Sequence, residues 1–95
     1  MRIIAKSRLM ALARGYGDCL PQVAAWYAIA TKADWHTLSE VRQTFRHADP
    51  VGDKTVFNIK GNDYRLIVHI HYDAGIIYIK SLLTHKEYDK GAWKA

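Results

Sequence analysis

Cysteine occurs once in this sequence, at Cys19, and proline twice, at Pro21 and Pro50. A lone thiol excludes an internal disulfide framework and a cysteine metal cluster, and it suits a reducing, cytoplasmic setting. No apolar run approaches the roughly 18 residues that a membrane-spanning helix needs, so no membrane partner is expected. The opening Met1-Arg2-Ile3-Ile4-Ala5-Lys6 returns to charge too early for the apolar stretch of a secretory leader. The histidines, His36, His47, His69, His71 and His85, include no i,i+4 pair and no cysteine-supported spacing. Neither a metal site nor a cofactor is therefore expected. Phosphate-loop, nucleophile-elbow and zinc-deaminase signatures are missing, as are repeats and low-complexity tracts. One small domain over residues 1–95 is the expectation, because so short a chain has little material for a second core.

What is present is apolar and aromatic: 49 % hydrophobic residues, with six Tyr, three Trp and two Phe, enough for a packed globule. Fourteen Lys and Arg oppose nine Asp and Glu, a formal net charge of +5. Seven bases face five acids in residues 1–53 and seven face four in 54–95, so the excess is spread rather than held in a tail. Such a balance fits ordinary solubility. It fits equally a polyanionic partner: RNA, DNA, a ribosome or an acidic protein.

The pattern changes near residue 50. Before it the chain reads as helical. Ile3-Ile4 can form a short strand. Ser7 is placed to cap a helix through Leu9, Met10, Leu12 and Ala13, with Gly15 as its stop. A second helix starts near Pro21, and Val23, Trp26, Tyr27 and Ala30 recur at helical spacing as a core face. Trp35 falls in a connection, and Thr37 or Ser39 caps a short third helix with Leu38, Val41, Arg42 and Phe45. Residues 46–53, Arg-His-Ala-Asp-Pro-Val-Gly-Asp, read as a loop. From residue 54 the pattern is β, with strands expected at Thr55–Ile59, Tyr64–Tyr72 and Ile76–Leu83. Helices followed by an antiparallel meander (about 54–83) and a short tail (84–95) make an α+β domain, its helices on one face of the sheet.

A hairpin tip at Gly61-Asn62, both residues tolerant of positive φ, pairs Ile59 with Tyr64, Asn58 with Arg65 and Phe57 with Leu66. Alternation then puts Phe57, Ile59, Tyr64, Leu66, Val68 and Ile70 on the core face, and Asn58, Lys60, Arg65, His69 and His71 on a polar, basic one. The third strand is open to two readings. A two-residue turn at Ala74-Gly75 sets Tyr78 and Lys80 beside His71 and His69, buries Ile77, Ile79 and Leu83, and puts Thr84 opposite Arg65; a three-residue turn reverses every side chain. The first is preferred. Thr84 and Glu87 are spaced as a capping box for a terminal turn, which would put His85 and Tyr88 on one face. Taken alone, the segment reads first as a capped structural turn with a surface histidine.

Two stretches carry a resemblance. Val56-Phe57-Asn58-Ile59-Lys60-Gly61-Asn62-Asp63-Tyr64-Arg65-Leu66-Ile67-Val68 resembles the "vFNi-x-GN-x-yRliv" core of HigB toxins, a branch of the RelE-like ribonucleases of type II toxin–antitoxin systems. Tyr78-Ile79-Lys80 followed by Thr84-His85-Lys86-Glu87-Tyr88-Asp89 resembles that family's closing "yir…THaEYD" segment. Trp26, Trp35, Val41, Phe45 and Ala48-Asp49-Pro50-Val51-Gly52 match its helical half, so the likeness covers roughly residues 15–90, with Ser81 standing where a larger residue is common.

The resemblance implies a RelE-like fold with helices against a small curved antiparallel sheet. It implies a metal-independent endoribonuclease that cuts messenger RNA on the translating ribosome, and a HigA-like helix-turn-helix antitoxin through which alone operator DNA is met. Cleavage through the ribose 2′-OH needs a base, an acid and phosphate charge stabilisation. Arg65, with its planar, permanently charged fork, suits the phosphate; His85 suits acid–base work; Tyr88 suits donation to the leaving oxygen or base stacking. Lys60, Lys80 and Lys86 are expected on RNA phosphates, and Asn58 and Asn62 as positioning or base-reading groups. Two rivals stand beside this reading: a RelE-like toxin that poisons DNA gyrase, and a non-catalytic RNA- or ribosome-binding module.

Overall fold

The structure is a computed structural model that describes residues 1–94; Ala95, the last residue of the expected tail, lies outside the described residues. Three helices come early: α1 (Lys6–Tyr16), α2 (Leu20–Lys32) and α3 (Leu38–Thr44), after a short first strand, β1 (Arg2–Ile4). The rest is β2 (Asp49–Val51), β3 (Lys54–Ile59), β4 (Tyr64–His71), β5 (Ile76–Thr84) and the one-turn helix α4 (His85–Asp89), ending in a 3₁₀ turn at Ala92–Lys94.

Helix boundaries follow local chemistry, with α1 shifted at both ends. Ala5, not Ser7, is the first cap and contributes no side-chain hydrogen bond, and Gly15 stays inside the helix. The stop is Gly17, whose φ of 74° lets its N–H turn back to the Ala13 carbonyl at 3.0 Å. Pro21 occupies the first turn of α2, and Thr37 caps α3 by accepting from the Glu40 N–H at 3.2 Å. Leu9 and Ala13 of α1 and Val23, Trp26 and Ala30 of α2 are buried against Phe57, Ile59, Tyr64, Leu66, Val68 and Ile70, the sheet face expected to form the core. Edge-on aromatic contacts, Trp26 to Phe57 at 5.3 Å and Phe45 to Phe57 at 5.2 Å, tie α2 and the end of α3 to β3.

The sheet has five strands in the order β1-β5-β4-β3-β2. It is mixed rather than wholly antiparallel, because β1 runs parallel to β5 with Ile3 beside Ile77. The segment expected as loop also supplies β2, which pairs Pro50 with Thr55 at the sheet edge, where a missing N–H costs no ladder bond.

The β3–β4 register is as read from the sequence: Phe57 with Leu66, Asn58 with Arg65, Ile59 with Tyr64. The residues with positive φ at its tip are Lys60 (54°) and Gly61 (63°), one position earlier than expected. That turn takes Lys60 off the Asn58 face and onto Asp18, 2.9 Å away.

The β4–β5 register departs twice from the preferred reading. His69, not His71, faces Tyr78, because the connection occupies Tyr72–Gly75. A bulge then leaves Lys80 unpaired, since Val68 faces Ile79 while Ile67 faces Ser81. One extra residue flips the alternation, so Leu82 rather than Leu83 enters the core, and Thr84 faces Tyr64 rather than Arg65. Near the turn the two-residue parity holds, with Ile77 and Ile79 buried and Lys80 exposed; past the bulge the opposite parity holds.

Candidate active site

Arg65 stands near the start of β4, on the sheet face turned away from α1 and α2, with Asn58 opposite on β3 and Leu83 opposite on β5. It is only 8 % exposed. A buried guanidinium normally has a carboxylate partner, yet none lies within ion-pair distance among the described residues. Nη1 instead donates to the Asn62 carbonyl at 2.9 Å and the Tyr64 carbonyl at 3.2 Å, and Nη2 donates to the Asn62 side-chain oxygen at 3.0 Å. Nη2 also lies 3.0 Å from His85 Nδ1. Neutral acceptors thus hold the fork in place without cancelling its charge, which leaves an anion-attracting centre under the groove.

His85 and Tyr88 arrive on α4, whose start is set by the capping box read from the sequence. Thr84 Oγ1 accepts from the Glu87 N–H at 3.1 Å, and Glu87 Oε1 accepts from the Thr84 N–H at 3.0 Å. The same Glu87 carboxylate lies 2.9 Å from the Tyr16 hydroxyl, so the end of α1 anchors the helix that carries the site. Burial and this carboxylate push the Tyr16 phenol up to about 12, which keeps it a donor. The backbone N–H of His85 donates to the Asp63 carbonyl at 2.9 Å, fixing α4 to the hairpin tip.

Two contacts hold the Tyr88 ring. The Arg65 guanidinium carbon is 5.5 Å from its ring centre, and Trp93 stacks on it at 5.0 Å with an interplanar angle of 18°. Trp93 Nε1 donates to the Tyr88 carbonyl at 3.0 Å, closing the terminal segment over the outer face of the sheet. Val56 and Ile67, buried on that face yet outside the main core, explain why it is not simply solvated. Burial, and then nearby Asp49, raise the Tyr88 phenol above its ordinary value, with Arg65 acting in the other direction.

Of the sequence-derived site residues, Arg65, His85, Tyr88 and Asn62 meet within contact distance, and Asn58 lines the same groove. Three lysines stand apart. Lys60 pairs with Asp18, Lys80 sits at the bulge with Nζ 5.8 Å from the Tyr78 ring, and Lys86 is exposed on α4 next to His85. The groove, a cavity of about 420 Å³, is completed by residues to which no sequence motif assigns a role: Arg42, Arg46, His47 and Asp49. Their signal was present as the basic run at the end of α3 and in the following loop, but no local pattern aims that loop at Arg65 across the sheet. Arg42 is steadied by donating from Nε to the Ala48 carbonyl at 2.8 Å.

The arrangement supplies a buried cation, an imidazole and a protonated phenol beside a basic groove. Residues 20–91 match the family model for HigB toxins, described as the RelE-like toxic component of a toxin–antitoxin system. An mRNA interferase HigB of Escherichia coli is 28 % identical over 93 residues, covering 95 % of this chain and 90 % of that protein. An mRNA interferase HigB of Shigella flexneri is 41 % identical over 34 residues, 36 % of this chain and 33 % of that one. No helix among the described residues is long and apolar enough to cross a membrane.

Proposed function

Because the chain belongs to the HigB family of RelE-like toxins, we propose that it is an endoribonuclease that cuts messenger RNA on the translating ribosome, with Arg65, His85 and Tyr88 as its catalytic residues. The observation that carries the reading is the convergence on Arg65, from two directions, of an imidazole at 3.0 Å and a phenol ring at 5.5 Å. The ribose 2′-OH gives its proton to His85 while its oxygen bonds to phosphorus. The bond from phosphorus to the 5′-oxygen then breaks, and that oxygen takes the phenolic proton of Tyr88. Raised above its ordinary value, Tyr88 is a donor rather than a base at neutral pH. Arg65 stabilises the charge that builds on the phosphoryl oxygens, an effect worth a few kcal/mol when the cation is pre-oriented. The products are a 2′,3′-cyclic phosphate and a 5′-hydroxyl.

Arg42, Arg46 and His47 along the groove suit the RNA backbone, and Lys80 and Lys86 suit phosphates farther along the strand. Asn58 suits a base edge, whereas Asn62 and Lys60 act on Arg65 and Asp18 before they act on RNA. The neutralising partner is a HigA-like helix-turn-helix antitoxin, and operator DNA is engaged only through it. The test is to incubate translating ribosomes with the purified protein and map both ends of every break. Cyclic-phosphate and 5′-hydroxyl ends are expected. A 5′-phosphate end would overturn the chemistry, and intact transcripts with gyrase-linked DNA breaks would overturn the ribonuclease itself.

A further inference from the structure

The two nitrogens of His85 face opposite charges. Nδ1 lies 3.0 Å from Arg65 Nη2, and Nε2 lies 3.0 Å from Asp89 Oδ2, one turn along α4. A guanidinium has donors only, so the nitrogen facing it must be the acceptor, and the carboxylate must face the nitrogen that carries hydrogen. Both contacts therefore select one neutral tautomer, with the proton on Nε2 and the lone pair on Nδ1. No other charged side chain among the described residues is within hydrogen-bond or ion-pair distance of the ring; Asp63 touches His85 only through backbone atoms.

We propose that Asp89 is a positioning residue which holds His85 by Nε2–H, so that Nδ1 is the nitrogen that takes the 2′-OH proton. The inference rests on the ribonuclease reading above. It assigns Arg65 a second task, because the cation that waits for the phosphate also covers Nδ1 until one arrives. A phosphoryl oxygen reaching Nη2 competes for the donor now aimed at Nδ1 and uncovers that lone pair at the nucleophile. When Nδ1 accepts the proton, the ring becomes a cation with Asp89 already against its far side, so no group has to move to stabilise it. The orienting carboxylate here sits on the nitrogen remote from the reaction, the same division of labour as in serine-hydrolase triads, built within a single turn of helix.

The experiment has two arms on the full chain. In the first, ¹⁵N-histidine NMR of the free protein reads the tautomer without any reference to activity. His85 protonated on Nε2 is expected, and an Nδ1-protonated ring would overturn the assignment. In the second, single-turnover cleavage on translating ribosomes is measured for Asp89→Asn, His85→Ala and the double variant. Asp89→Asn is expected to lower the single-turnover rate constant by about 10- to 100-fold with the half-saturating concentration little changed. Asp89→Glu should recover part of the loss, and adding Asp89→Asn to His85→Ala should cost nothing further, since Asp89 acts through His85. Full activity of Asp89→Asn beside a dead His85→Ala would make the pair an ordinary i,i+4 surface contact and end the proposal. Full activity of His85→Ala would instead overturn the catalytic role of His85, a separate failure that the NMR arm tells apart.

Discussion

Arg65→Ala separates what the buried guanidinium does for the fold from what it does for the reaction. Removal strips the donor from four acceptors, but they are not equally exposed to the loss. The Asn62 carbonyl, the Asn62 side chain and His85 Nδ1 are part-buried and can take water from the groove, whereas the contact to the Tyr64 carbonyl is buried. One buried acceptor left without a donor costs about 1–3 kcal/mol. Against this stands relief from burying a charge that has no carboxylate partner, which is small because four acceptors already compensate the guanidinium, and loss of the packed stem of Arg65 adds to the cost. The balance is a modest destabilisation of about 1–2 kcal/mol, or roughly 5–15 °C in Tm for a chain of this size. Starting from as little as about 5 kcal/mol of stability, more than about 99 % of the variant remains folded. Cleavage is expected to fall by at least ~10²–10³-fold through lost phosphate stabilisation, far beyond anything the unfolded fraction explains. Thermal melting and single-turnover cleavage on the same preparation decide it. A variant that melts within the expected range and still cuts at more than a tenth of the native rate would refute the reasoning.

His85→Ala and Tyr88→Phe should each slow cleavage by about 10²-fold or more while barely moving Tm. The phenyl ring left by Tyr88→Phe keeps the stack on Trp93, so any early melting of that variant, read by calorimetry, counts against the catalytic role. Leu82→Ala should cost about 2–5 kcal/mol and Leu83→Ala no more than about 1, because the bulge at Lys80 sends Leu82 inward; urea unfolding giving the reverse order would remove the bulge from the account. Hydrogen bonds from Tyr64 and Lys60 hold the Asp18 carboxyl below its ordinary value. A depressed carboxylate stabilises the fold above its unfolded pKa and loses that contribution as pH falls through the folded one. Tyr64→Phe should therefore lower Tm near neutrality and flatten its decline on acidification below about pH 4; an unchanged Tm–pH curve refutes the contact. Induced alone, the protein should arrest growth with transcripts shortened before DNA synthesis fails, which RNA-end mapping alongside thymidine uptake can order in time.

Much that depends on near neighbours was legible in the residues alone. Phe57 to Leu66 alternates across a tight loop, and a period of two allows one partition of its side chains, so the Asn58–Arg65 pairing and the core face were both legible. Thr84 and Glu87 satisfy each other's backbone within one turn, so the position of α4, and the meeting of His85 and Tyr88 on one face, needed no tertiary information. The terminal motif and hairpin also carried the family resemblance, because both are contiguous. Tertiary structure decided what depends on distant residues. Gly15 and Gly17 are equally able to end a helix, and packing of α1 on the sheet selected Gly17. The turn that takes Lys60 off the face its alternation assigned delivers it to Asp18, 42 residues away, a partner that no local pattern names. The parallel edge of β1 on β5 and the bulge at Lys80 are choices of register between strands, where no local preference distinguishes Leu82 from Leu83 until one of them meets the core. The groove is the same case. Arg42, Arg46 and His47 line one groove with Tyr88 and Arg65 only because α3 ends beside β3, and that adjacency is written in the packing of Phe45 on Phe57 rather than in any motif near the charges themselves.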